Sequence, residues 1–471
     1  MKEQDIKQIR EYLAARQDEI IGNLKKLVAI PSVGCQDGSG YPYGAPCAAA
    51  LDFVLALAAE KGLETENSGY YYGLASWGSG SRHIGIFSHV DVVEAGEGWL
   101  YPPFACTERE GWLIGRGVGD DKHAAILGIY VLAAVRDLHL ADNCRLTLFF
   151  GCNEEAGMDD LNRYLAQQPQ PDVCLVPDIR FPVCIGEKGN LTFTLERENT
   201  DSRLFKLHGG IAGNIVPAYA EAELRLTSQE QIHALAAAAE TQETVSVKAE
   251  SGGRVTVTAR GKQSSSSMAQ LGVNAVGVLC RFLTESGLFA GVPLLEECAR
   301  LTSQWDGGVF GIRGGDEFLG QLTVPCVFFD CGGEGCRLQF NLRYPASLNT
   351  EEILGKISSC AENKGWTMRV ISKSLPYCLP AEHGLVSSLL ASWSSVTGKS
   401  GEPFAIGGGT YARKLKNAVG FGPHDGSLCP FLPEGHGAIH GPDEARSISN
   451  IMESILIYAA ALCDLLESGC L

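Results

Sequence analysis

Five short segments of this 471-residue chain gather acids and imidazoles: HVD at His89–Asp91, GRGVGDDKH around Asp120, GCNEEAG around Glu154, LVPD ending at Asp178, and IHGPDE around His440. Carboxylate oxygens and imidazole nitrogens are the donor mixture that a pair of divalent ions takes. Two such ions need one carboxylate that spans both and further ligands on each. A water shared between them loses its proton readily and becomes a nucleophile, and another carboxylate must carry that proton to the leaving group. Glu154 and Glu155 are adjacent, so on an extended or turning backbone they point apart, one free to bind metal and the other to face the water. Any one of these residues alone would read as a strand-end polar group or a cap; together and in order they point to a co-catalytic metal hydrolase.

The surrounding sequence supplies elements able to hold them. His89 and Asp91 close the β-rich run HIGIFSHVDVV, Glu154 and Glu155 follow RLTLFFG, Asp178 ends DVCLVPD, and Asp120 precedes the helix-forming AAILGIYVLAAV. Functional groups in open α/β sheets collect where strands end and loops begin. The alternation of strand and helix signals predicts an α/β domain with a mostly parallel sheet and helices on both faces. After Asp178 the pattern changes: NLTFTLE, AEAELRL, RVTVTARG and CRLQFNLRYP alternate apolar with polar residues, as half-exposed antiparallel strands do. The expected division is a catalytic domain over 1–187 and 380–471, interrupted by an inserted α+β lid over 188–379.

With 45% hydrophobic and 20% charged residues the composition is that of a soluble globular protein, and the length favours more than one domain. A formal net charge of -17 argues against nucleic acid and against anionic membrane surfaces as partners. The charged N-terminal stretch has helical apolar spacing and no secretory core, and no apolar run stands out as long enough to cross a bilayer. The 17 cysteines are scattered and odd in number, which reads as reduced thiols in the cytoplasm. CGGEGC at Cys331–Cys336 reads as a glycine-rich turn in preference to a zinc or redox pair. GRGVG lacks the context of a dinucleotide fingerprint.

HVDVV followed by GEGW, GRGVGDDK, NEE, PD followed by FPV and EKG, GNIVP, GGGTYAR and HGPDE together resemble M20-family metallopeptidases, and most of all the PepV-like and Sapep-like dipeptidase branch. The resemblance runs from the N-terminal helix to the C-terminal one. It implies two divalent ions, zinc first with manganese or cobalt as substitutes, and a small peptide as substrate. It implies that Asp120 bridges the ions and is joined to Asp121 by a cis peptide. His89 and Asp178 would complete one ion's shell, Glu155 and His440 the other's. Glu154 would be the general base, and Asp91 would orient His89. In the lid, Asn214 and Arg343 would hold the substrate's carboxylate, while Gly408 and Gly409 would allow close backbone approach. The long lid favours a monomer.

Two departures stand out. Ser265, in GKQSSSSMAQLGVNA, occupies the position where active relatives carry a histidine thought to stabilise the oxyanion; a lost donor of that kind costs roughly 2.7–4 kcal/mol. DDKH replaces DDKG, so His123 follows the bridging aspartate. These departures keep two alternatives beside the dipeptidase: an N-acyl amino acid deacylase, and a catalytically impaired paralogue that binds metal and peptide. His208 and His436 read as bystanders, the latter because glycines at 435, 437 and 441 favour a loop over a helical ligand pair.

Overall fold

The computed structural model describes residues 3–141, 143–199, 201–333 and 335–468. The chain divides into two compact units, one of Met1–Gly186, Leu379–Phe404 and Gly409–Leu471, the other of Glu187–Cys378 and Ala405–Gly408.

In the first unit the strands Cys144–Gly151, Arg82–His89, Val173–Val176 and Ala418–Gly420 lie side by side in that order and parallel. Antiparallel neighbours extend the sheet: Tyr72–Trp77 beside Cys144–Gly151, then Glu64–Ser68, and at the other side Cys184 against Gly420. Period-2 alternation gives each central strand two buried faces, as parallel strands require. Ile84, Ile86, Leu146 and Leu148 face the main core, shared with helices Lys122–Asp137 and Ile448–Ser468. Phe87 and Phe149 join a second cluster of edge-to-face and stacked rings with Tyr72, Tyr164 and Tyr411. Helix Lys122–Asp137 is buried at every position from Lys122 to Val135, which explains a sequence apolar on all sides. Contrary to the expectation of no apolar run long enough to cross a bilayer, Ile448–Glu467 is long and apolar enough by composition; 72% of its apolar window is buried in this unit, so here it serves as a core helix.

The second unit is built on an eight-stranded, wholly antiparallel sheet. Tyr219–Arg225 and Arg254–Arg260 alternate buried and exposed side chains along their length. Their inward faces meet helix Ala275–Glu285, whose start is capped by Asn274 accepting from the Val276 amide. Helix Pro293–Thr302, not anticipated from sequence, completes that layer against Ala275–Glu285. Cys331 and Cys336 face each other across the hairpin, and every described cysteine is a free thiol.

A carboxylate and imidazole cluster at the strand ends

Parallel register brings the cluster together. Arg82 pairs with Cys144 and His89 with Gly151, so the two strands finish level. His89 therefore stands beside the NEE turn that follows Gly151, and Asp178 lies two residues beyond the end of Val173–Val176. Asp120 and Asp121 lie at the N-terminus of helix Lys122–Asp137, joined by a cis peptide.

His89 is fully buried. Its Nδ1 lies 3.0 Å from the Asp91 carbonyl and 3.4 Å from that residue's carboxylate, while Nε2 lies 3.0 Å from Asp120 Oδ1. The other carboxylate oxygen of Asp120 is 3.0 Å from His440 Nε2, and that nitrogen is also 3.0 Å from Glu155 Oε1. Ligand atoms of His89, Asp120 and Glu155 all lie within 4.8 Å of one another, as do those of His89, Glu154 and Asp178. His89, Asp120, Glu154, Glu155, Asp178 and His440 thus come together at the strand ends.

The electrostatics are those of a crowded acid site. Burial opposes ionisation of Asp120, but hydrogen bonds and charge from His440 and His89 hold it well below the usual carboxylate range. Burial pushes Glu154 well up, with Glu155 and Asp120 adding to the effect. Burial and the charges of Asp120 and Asp121 do the same to Asp178. His440 is pushed up to about 10; burial works against it, while Asp120 and Glu155 favour its cation. His89 Nε2, Asp120 Oδ1 and Glu154 Oε1 are buried without an aligned hydrogen-bond partner. Buried polar atoms normally find partners, and buried carboxylates that lack them coordinate cations. The donor set and its orphaned atoms fit divalent metal.

The scaffold beneath the cluster includes residues whose motifs stand out in the sequence but whose roles do not. Asp91 accepts from the amides of both Glu154 and Glu155, at 3.3 and 3.2 Å, so it sets the NEE turn as well as the His89 ring. Glu444 is fully buried: its Oε2 accepts from Arg116 at 2.6 Å, and its Oε1 accepts from the amides of Gly117, Gly119 and Asp120. Lys122 donates to the carbonyls of Leu27 and Ile30, tying the same loop to the end of helix Gln17–Val28. Tyr411 of GGGTYAR donates at 2.5 Å to Asp160, which also accepts from the Cys152 and Asn153 amides. Gly151 is obligatory there, because a β-carbon would stand 1.8 Å from the Tyr411 hydroxyl. His436 is no part of the cluster; its Nδ1 pairs with Asp443 at 2.5 Å.

The second unit holds Asn214, Ser265, Arg343 and Gly408, whereas Gly409 belongs to the first. Arg343 donates from Nε to Asn341 Oδ1 at 2.9 Å and from Nη1 to the Gly407 carbonyl at 3.2 Å. Asn341 is itself fixed by Asn190, Thr192 and Ser266. Asn214 is exposed, its carbonyl accepting from the Ser266 amide. Ser265 Oγ turns to its own loop, 3.0 Å from Ser267 Oγ and accepting from the Ser267 amide. A β-carbon on Gly408 would meet only ordinary contact at 3.7 Å, and one on Gly409 would meet the Arg413 side chain. Gly407 is also close-set, where a β-carbon would lie 2.3 Å from Ser267 Cβ. His208 is an exposed strand residue of this unit.

Against known proteins, the family model described as peptidase family M20/M25/M40 matches residues 85–464. The Beta-Ala-Xaa dipeptidase of Lactobacillus delbrueckii subsp. lactis is 29% identical, over 97% of this chain and 98% of its own. Among solved structures, the di-peptidase Dug1p of Saccharomyces cerevisiae has the same fold with a TM-score of 0.59 at 13% identity, covering 98% of this chain and 99% of that one. Human carnosine dipeptidase 1 aligns with a TM-score of 0.56 at 16% identity, covering 98% and 100%.

Proposed function

This chain belongs to peptidase family M20/M25/M40, and from that premise we propose that it is a metal-dependent dipeptidase hydrolysing the amide bond of a short peptide. Membership makes it a hydrolase. The relatives named as dipeptidases and matched over nearly their whole length support the substrate class. The observation that carries the reading is the pair of overlapping donor groups around His89, with buried atoms that have no partner of their own.

In this reading Asp120 would serve both ions, His89 and Asp178 would hold one, and Glu155 and His440 would hold the other. Zinc suits the mixed nitrogen and oxygen donors, with manganese or cobalt as substitutes. When bound, the ions supply a water of lowered pKa and polarise the scissile carbonyl. Glu154 accepts a proton and delivers it to the leaving nitrogen; its burial raises its affinity for a proton. Asp91 holds the His89 ring so that Nε2 faces Asp120. Arg343 and Asn214 are assigned the substrate carboxylate, for which the planar guanidinium fork is suited, and Gly408, Gly409 and Ser265 are assigned further substrate contacts.

The test is a panel of free dipeptides and N-acyl amino acids, assayed after chelation and after return of zinc, manganese or cobalt. Turnover of free-amino dipeptides that depends on added metal supports the proposal. Turnover of acylated amino acids alone makes it a deacylase. No turnover with metal bound, and recovery in Ser265→His, makes it an impaired paralogue.

A further inference from the structure

Behind the metal cluster, in the first unit, lies a second buried polar group that the hydrolytic reading leaves unused. His123 in the first turn of helix Lys122–Asp137 and His424 in strand Pro423–His424 are 1% and 4% exposed. Their ring centroids lie 5.5 Å apart with the planes inclined at 33°. None of their four ring nitrogens has an aligned hydrogen-bond partner, though the Gly119 backbone interacts with the His123 ring. Arg446, 6% exposed, joins them; its Nε is also unpartnered, and it borders the Gly119 backbone, where a β-carbon would lie 3.5 Å from that nitrogen.

The nearby acids are committed elsewhere. Glu444 is taken by Arg116 and three amides, Asp120 by His89 and His440, and Asp425 by Ser427. Arg446 forms no ion pair among the described residues. Glu444, Asp425 and Asp120 lie near enough to favour its charge without pairing with it, and a buried guanidinium that lacks a direct partner is costly. Two imidazoles alone would suit a transition metal, but a permanent cation beside them repels one. A guanidinium, two imidazole N–H donors and a helix N-terminus all favour negative charge.

We propose that His123, His424 and Arg446 form a binding site for a small monovalent anion of halide size. The inference is independent of which peptide the enzyme cleaves. It also accounts for His123, the departure from DDKG, which contributes a donor where glycine offers no side chain.

The test uses the full-length, metal-loaded protein moved from sodium gluconate into sodium bromide at constant ionic strength. Wild type is expected to show a saturable rise in melting midpoint, about 2 °C at tenfold above half-saturation, and Arg446→Met is expected to lose it. His424→Gln, which keeps a donor, should retain a weaker response. Crystals soaked in bromide should give an anomalous peak between the two imidazoles and Arg446. The proposal is overturned if wild type does not respond and the density there is an ordered water. It is equally overturned if Arg446→Met responds like wild type, or if cobalt and not bromide occupies the position. Should Arg446→Met fail to fold, the anomalous map of wild type decides alone.

Discussion

The acid cluster of the first unit and the serine turn of the second are held in opposite ways. Around His89 the backbone is held by Asp91, Glu444 and Asp160, the last bonded to Tyr411, while His89 Nε2, Asp120 Oδ1 and Glu154 Oε1 lack an aligned hydrogen-bond partner. Ser265 faces its own loop, its hydroxyl shared with Ser267. A site whose working atoms are left unsatisfied is shaped for something the chain does not contain, whereas a turn that satisfies itself is shaped for its own backbone. The lesson is that unsatisfied buried donors, and not a self-satisfied turn, mark where a ligand belongs.

The sharpest break of this contrast is metal removal. Exhaustive chelation should abolish peptide hydrolysis, with recovery on adding back zinc, manganese or cobalt; activity that survives with no metal detected by mass spectrometry would put the chemistry elsewhere. Next, Glu154→Gln should lower kcat by about 10²–10⁴-fold while metal content stays at the wild-type level. Ser265→His addresses the other region and should raise kcat by up to about 10²-fold if the hydroxyl is a poor substitute for an imidazole donor; an unchanged kcat would mean the serine turn carries no burden in turnover. The mildest is Tyr411→Phe, which removes a single buried hydrogen bond to Asp160. A loss of roughly 1–3 kcal/mol in unfolding free energy, read by denaturant titration, should accompany a modest fall in kcat.

Much of the first region is legible in the chain because strand ends carry its acids and imidazoles: HIGIFSH, RLTLFFG and DVCLVP announce themselves by β-branched and aromatic runs, and parallel register then makes their ends coincide. The supports are harder to read. Tyr411 and Asp160 are 251 residues apart, and no local spacing relates them. Glu444 lies inside a recognisable motif, yet its caging of three amides depends on how the GRGVGD loop folds. Arg116 looks like part of a glycine-rich loop and proves to be its buried counter-charge. In the antiparallel unit, alternation reveals the strands, but Gly407 escapes notice because its constraint comes from Ser267, remote in sequence.

The segment Ala405–Gly408 packs with the second unit although the residues flanking it belong to the first. Its Ile406 carbonyl accepts from the Lys188 amide and its Gly407 carbonyl from Arg343. Excising 187–378 as a contiguous fragment would therefore remove one acceptor from the Lys188 amide and one from Arg343 that they use in the intact protein. Anyone wishing to study that half in isolation would need to graft the four-residue strip back on.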